Sequence, residues 1–421
     1  MDPRRRAQWA WGLTSWANHS FLTTVVVGLF PIFFDNYWAK GVPGTTSTFL
    51  LGLTNSSSAA TVMVLAPLLG AIADRRAQKR RWFSVFTLLG VVSTVLLALT
   101  GRSQAGLALG LFGLGSLGFW VGYSFQDALL TQVAEPAEMN RVSSFGFALG
   151  YLGGGLLFLL NAQLVRSPHT FGLADAVTAM RVAFLGVAAW WLVFSLPLLC
   201  YVRESAPTAE HSSWRELAAT VRRVLGNRAV RSFLIAYWLY IDGINTLQFM
   251  AIDFGTKLGF PPGSLIEALL LVQFVSFPFA LGFGRLGDWI GARAAIYLGL
   301  AVLSAVTAYG FYMHTVRQFF VLAVVFGTVQ GGVQALSRAY FTRLIPRERS
   351  GEYFGFYNML GKFAAVLGPV AMGTVALLTG SQRDSILVLI AFFIGGALLL
   401  RRADEPSGRA VTTASARGRG A

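Results

Sequence analysis

Twelve apolar stretches follow one another along the chain, at about 11–34, 48–73, 82–101, 105–133, 142–164, 178–201, 233–257, 264–287, 294–314, 317–344, 351–379 and 383–400. Each approaches the roughly 20 residues that a helix needs to cross a ~30 Å hydrocarbon layer. The gaps between them gather Arg, Asp, Glu, Pro and Gly, which a lipid-facing segment does not tolerate. Composition agrees, since 55% of the 421 residues are apolar and 13% are charged, where a soluble domain carries about 25% charge. The expected fold class is an all-α integral membrane protein of twelve transmembrane helices, and an even count puts both termini on one side.

Basic residues then orient the chain, because cytoplasmic loops retain them. With the N-terminus inside, 25 of the 34 Lys and Arg fall in cytoplasmic segments, 7 fall outside, and Arg338 and Lys362 lie within spans. Both termini are therefore expected in the cytoplasm, and the net charge of +15 reads as this bias rather than as nucleic-acid binding. No cleavable leader is expected, since the first span is too long and runs into Asp35-Asn36-Tyr37. The single cysteine, Cys200, excludes a disulfide framework or a multi-cysteine metal site.

The longest polar stretch divides the chain into a six-span half at 1–201, a cytoplasmic linker at 202–232, a second half at 233–402 and a disordered tail at 403–421. Within the linker, Trp214, Leu217, Val221, Val224 and Leu225 follow helical spacing with basic residues between them, as in an amphipathic helix lying on a membrane face. The halves repeat one another. Gly70-Ala71-Ile72-Ala73-Asp74 closes span two and Gly284-Arg285-Leu286-Gly287-Asp288 closes span eight, while Phe145-Gly146-Phe147 and Phe354-Gly355-Phe356 open spans five and eleven. Two G-x-x-x-D copies at matched places indicate duplication, and parallel six-span repeats rock about a central site in the major facilitator layout.

The loop after Asp74, with its run of basic residues, resembles the signature loop of the major facilitator superfamily. Ala77-Gln78 stands where glycine-arginine is usual, whereas the second copy keeps Gly291 and Arg293. Trp16-Ala17-Asn18, Tyr240-Ile241-Asp242-Gly243-Ile244-Asn245-Thr246 and the run from Gln334-Ala335-Leu336-Ser337-Arg338 to Asn358 and Lys362 resemble a narrower branch. That branch includes the autophagy-linked vacuolar amino-acid effluxers and bacterial relatives. Ser15 replaces its usual acid before Trp-Ala-Asn. The resemblance implies secondary transport of a small solute, an amino acid in the fungal members.

Ionisable groups inside spans are costly and mark functional candidates. Asp242 lies about 14 Å into span seven and Lys362 about 17 Å into span eleven at 1.5 Å per residue, with Asn18 and His19 also near the midplane. A carboxylate and an ammonium at one level suit a zwitterion, and Asn245, Gln248 and Asn358 add hydrogen-bonding groups. Two alternatives stand: Asp242 and Lys362 neutralise each other as a packing pair, and His19 is an interhelical bond rather than a proton carrier. Gln330, Gln334 and Ser337 form a stripe that is either cavity wall or helix glue. Asp127 and Arg338, at corresponding places in spans four and ten, are expected to gate, either by pairing across the halves or by joining their own signature loops. Family analogy favours the second for Asp127. Asp74, Arg75, Asp288 and Arg293 complete the expected gating set.

No phosphate loop, nucleotide fingerprint, metal constellation or nucleophile set occurs, so neither an ATP-driven pump nor an enzyme is expected, and no cofactor. The expected partners are a small-molecule substrate, the bilayer and protons as coupling ion, with a monomer as the unit. Rival readings are efflux of hydrophobic compounds and a lipid translocator or non-transporting sensor. Thirty Arg against four Lys point to a GC-rich genome and a bacterial inner membrane.

Overall fold

A computed structural model describes residues 2–42, 44–102, 104–204, 222–363 and 367–403. The described chain is all helical, and most helices follow the apolar runs closely, although the first begins at Pro3 rather than near 11 and the single 351–379 run is covered by two helices. They are α1 (Pro3–Ser20), α2 (Gly44–Arg76), α3 (Lys79–Leu99), α4 (Ala105–Val133), α5 (Met139–Arg166) and α6 (Ala176–Tyr201). The second half contributes α7 (Arg228–Lys257), α8 (Pro262–Ile290), α9 (Ala292–Phe311), α10 (Val316–Leu344), α11 (Ser350–Phe363), α12 (Leu367–Thr379) and α13 (Gln382–Leu400). Among the described residues, 10 helices are long and apolar enough to cross a membrane. The proposed linker helix falls mainly on residues outside the described set, although 222–226 are helical, and the tail beyond 403 also lies outside it.

The first span departs most from expectation. After Ser20 the helix widens into π geometry over Phe21–Leu29, returns to an α-turn at Phe30–Phe33, and widens again over Phe34–Trp38. The Phe30 N–H accordingly reaches five residues back to the Val25 carbonyl. Pro31 has no N–H to give the helical ladder, which favours such a local change of register.

Within the first half α1 packs on α5 and α6, and α3 packs on α4 and α6. Within the second, α8 packs on α10, and α13 packs on α7 and α9. Each half has its own apolar core. Across the midline α5 meets α8 and α10, while α11 meets α2 and α4. A small cluster of Phe147, Ala148, Tyr151, Ala280 and Ala335 bridges the two sides.

The G-x-x-x-D repeats explain how these crossings form. A Cβ on Gly70 would lie 2.2 Å from the Gly351 carbonyl oxygen, and one on Gly284 would lie 2.8 Å from the Ser144 Cβ. Each glycine lets two helices of opposite halves touch, one turn before the aspartate. The turns that follow also match: Gly291 has φ of 87° and Ala77 has φ of 50°. Only this alanine, among the described non-glycine residues, has positive φ.

Arg4 pairs with Glu135 at 2.8 Å, Arg141 pairs with Asp288 at 2.5 Å, and Arg293 donates to the Arg401 carbonyl at 2.7 Å. Those contacts bring the start of α1 and the end of α13 to one end of the bundle, here called the terminal end.

Candidate functional site: a seal between the halves

Arg338 projects from α10 into a socket made wholly by the first half. Its Nη1 donates to Asp127 Oδ1 at 2.8 Å, its Nε to Ser143 Oγ at 2.9 Å and its Nη2 to the Ser143 carbonyl at 2.8 Å. The guanidinium lies 4.8 Å from the Trp11 ring centre and 4.4 Å from that of Phe147. Both partners of the ion pair are 1% exposed. A planar cation bonded along its edge and covered by two aromatic faces suits arginine and not lysine. The second oxygen of Asp127 accepts from Asn358 Nδ2 at 3.1 Å, so α11 joins the same cluster.

Nearer the terminal end Asp74 forms a second contact across the halves. Its carboxylate accepts the N–H groups of Gly351 at 2.9 Å and Glu352 at 2.7 Å, the first turn of α11. Lys79 Nζ approaches it at 2.6 Å from its own half. Unsatisfied N–H groups and the helix dipole make a helix start a ready seat for an anion. Arg223, within the linker, pairs with Glu352 at 3.3 Å. In the second copy Asp288 meets Asn140 Nδ2 at 3.1 Å and Arg141 Nε at 2.5 Å on the first turn of α5. Asn140 in turn accepts from Arg343 at 3.0 Å.

Asp127 and Arg338 thus pair with each other, and neither joins its own signature loop as family analogy favoured for Asp127. The loop charges they would have joined are engaged elsewhere, Lys79 with Asp74 and Asp288 with Asn140 and Arg141. Arg293 binds within its own half, donating to the Arg401 carbonyl at the end of α13, and lies 6.0 Å from the Tyr297 ring centre. Arg80 does the same in the first half, donating to the Leu199 carbonyl. Arg75 is half-buried at the end of α2.

The midplane residues divide. Asn18 is 1% exposed and both ends of its amide are taken: Nδ2 donates to Gln126 Oε1 at 2.6 Å and Oδ1 accepts from Trp191 Nε1 at 2.6 Å. It ties α1 to α4 and α6 rather than offering a group to a solute. Asn358, expected on a binding wall, has its amide nitrogen engaged with Asp127 and with the Phe354 carbonyl, each at 3.1 Å. His19 Nδ1 lies 3.0 Å from the Ser15 carbonyl oxygen, and its ring is packed among Tyr123, Phe147 and Tyr151. The hydrogen bond thus stays within α1, and only the packing of the ring reaches α4 and α5, so the expected interhelical hydrogen bond is not the one formed. Gln330 donates to Ser276 at 3.1 Å, Gln334 to Tyr151 at 3.5 Å, and Ser337 shares a 2.7 Å hydrogen bond with Tyr240. All three members of the α10 stripe bind neighbouring helices.

Asp242, 1% exposed, accepts the Gly368 N–H at 3.1 Å on both oxygens and the Thr246 hydroxyl at 3.3 Å. Gly368 belongs to the first turn of α12, and a Cβ there would lie 1.8 Å from Thr246 Oγ1. Asn245 and Gln248 are half-buried further along α7. The Lys362 side chain lies outside the described residues, and so does its expected pairing with Asp242.

Sequence reasoning missed Trp11, Gln126, Ser143 and the amides of Gly351, Glu352 and Gly368. Trp11 was recoverable, since it precedes Asn18 by seven residues and so shares its helical face. The amides were not, because a main-chain donor leaves no mark on residue type.

Residues 131–412 match the family described as "Vacuole effluxer Atg22 like". The chain is 34% identical over 398 residues to an uncharacterized MFS-type transporter, YxiO, of Bacillus subtilis, covering 93% of each. It is 26% identical over 329 residues to Autophagy-related protein 22 of Yarrowia lipolytica, spanning 68% of this chain and 54% of that one. Against that fungal relative, then, the chain spans about half the length. Among solved structures it superposes on the human organic anion transporter MFSD10 with a TM-score of 0.77 at 18% identity, covering 95% of this chain and 100% of that one. The proton:xylose symporter XylE gives 0.70 at 13% identity, with 96% and 95% covered. The chain belongs to the Atg22-like family of major facilitator superfamily transporters.

Proposed function

We propose that the protein is a secondary transporter that carries a small polar solute, an amino acid, by alternating access. The observation that carries this reading is the seal: Arg338 of one half sits in a socket of the other, beside a carboxylate resting on main-chain N–H groups. Such contacts join rigid halves without a covalent tie, so they break and re-form as the halves rock. In this reading α7 and the α11–α12 pair complete twelve spans, the terminal end is cytoplasmic, and the described state is closed to the cytoplasm. The membrane is a bacterial inner membrane. The resemblance to vacuolar amino-acid effluxers supplies the solute class.

The residues proposed to meet the solute are Asp242, Asn245, Gln248 and Lys362. Protons are the proposed coupling ion, carried by Asp242, whose described contacts are a hydroxyl and a main-chain N–H. Protonation would weaken its hold on α12 and so link the proton to helix position. The aromatic ring around His19 is the feature that favours the rival reading, export of hydrophobic compounds.

Uptake and counterflow in proteoliposomes, with a panel of amino acids and of hydrophobic cations and with or without a pH gradient, separate these readings. Counterflow of at least one amino acid is expected, accelerated by the gradient, and Asp242→Asn is expected to abolish the acceleration. No amino-acid counterflow would overturn the solute class. Gradient-independent counterflow would overturn the coupling.

A further inference from the structure

Beside the seal, on the outer flank of the α5–α8 crossing, lies a cavity of about 620 Å³ lined by Arg141, Phe145, Leu281, Arg285, Asp288 and Trp289. It does not belong to the solute site, being at the terminal end and open to the surroundings of the bundle. Its walls come from both halves, Arg141 and Phe145 from α5 and the other four from α8.

The chemistry of the walls changes with depth. Asp288 lies in the last turn of α8, Arg285 about one turn before it and Arg141 in the first turn of α5, close to where the apolar runs end. Phe145 and Leu281 lie one turn further in. Arg285 is exposed and makes no hydrogen bond or ion pair with the described residues. Arg141 uses Nε for Asp288 and keeps its side chain 71% exposed, which leaves its terminal nitrogens to face the cavity mouth. Trp289 is 84% exposed, a large amphipathic ring at the depth where membrane proteins place tryptophan against headgroups.

The geometry points to a binding site for one anionic phospholipid of the leaflet at the terminal end. Arg285 and the free edge of Arg141 take the phosphate. Trp289 covers the glycerol region, and Phe145 and Leu281 receive the start of an acyl chain. Basic pockets between helices are suited to anionic headgroups, and a soluble anion would gain nothing from the apolar floor. Because the lipid would touch α5 and α8 together, it belongs to the state in which those helices are closed. Asp288 then has a second task, holding Arg141 at the right angle.

The site rests only on the membrane reading, and its test does not involve transport. The full chain, purified in detergent after reconstitution with mixed phosphatidylglycerol and phosphatidylcholine, is examined by native mass spectrometry for retained lipid. Phosphatidylglycerol is expected to be retained over phosphatidylcholine, and inorganic phosphate should not displace it. Arg285→Gln should lower retention about tenfold, the size of effect expected for one charge-assisted phosphate contact. Trp289→Ala should lower it as well, while Arg166→Gln at the opposite end should not. Both altered side chains are exposed, so folding is checked by an unchanged elution volume. Equal retention by Arg285→Gln and wild type, equal loss in Arg166→Gln, or displacement by phosphate alone would each overturn the proposal.

Discussion

Arg338 carries a full charge in a place where water contributes almost nothing, at 1% exposure. Its stability depends on every partner in the socket being present together. Removing the carboxylate alone, in Asp127→Asn, leaves a buried cation without its counter-charge, which costs about 3–5 kcal/mol in the sealed state. The halves should part at that end. With Cys200 replaced by Ser, the alkylation rate of a cysteine at position 350, which meets Thr131 across the seam at 3.1 Å, should rise about tenfold or more. Exchanging the two charges, Asp127→Arg with Arg338→Asp, should recover part of the closure. An unchanged alkylation rate in Asp127→Asn would show that the ion pair does not hold the seal.

At the scale of elements, carboxylates at helix starts recur. Asp74 seats α11, Asp242 seats α12, and Glu204 accepts the Lys79 and Arg80 N–H groups of α3 at 2.8 Å each. All three join elements distant in sequence, which is why residue pattern alone showed Asp74 and Asp242 without their targets and did not single out Glu204. The positions of the helices were legible because apolar length is a local property, and the G-x-x-x-D repeats were legible because duplication leaves two copies to compare. The π-helical widening of the first span was not, since Pro31 alone permits several outcomes. One mismatch between the copies has an energetic consequence: Ala77 takes the left-handed conformation that Gly291 takes freely, a state costing an L-residue roughly 1–2 kcal/mol. Ala77→Gly should therefore raise the thermal unfolding temperature, by about 0.5–1 kcal/mol of stability after the added chain freedom of glycine is subtracted. A lowered unfolding temperature would show that the αL turn is not strained.

For the whole molecule, the uneven distribution of basic residues and the contacts at the terminal end describe one polarity. Arg4, Arg141, Arg293 and Arg401 gather there, and Arg317 and Arg383 lie at the other end, where Arg383 bonds the Phe311 and Met313 carbonyls. In a Cys200→Ser background, a membrane-impermeant maleimide added to intact cells should label Arg317→Cys and spare Arg402→Cys until the membrane is opened. The reverse pattern would invert the proposed orientation, and with it the side to which the seal is closed.

The contact between Asp74 and α11 is made to main chain, not to a side chain. Nothing at position 352 has to change when position 74 changes, beyond keeping an N–H. Two lineages of such a protein can therefore diverge widely in the residues that face each other at this joint and still close in the same way. The joint would leave no trace as correlated substitution, and only the geometry of the backbone reveals it.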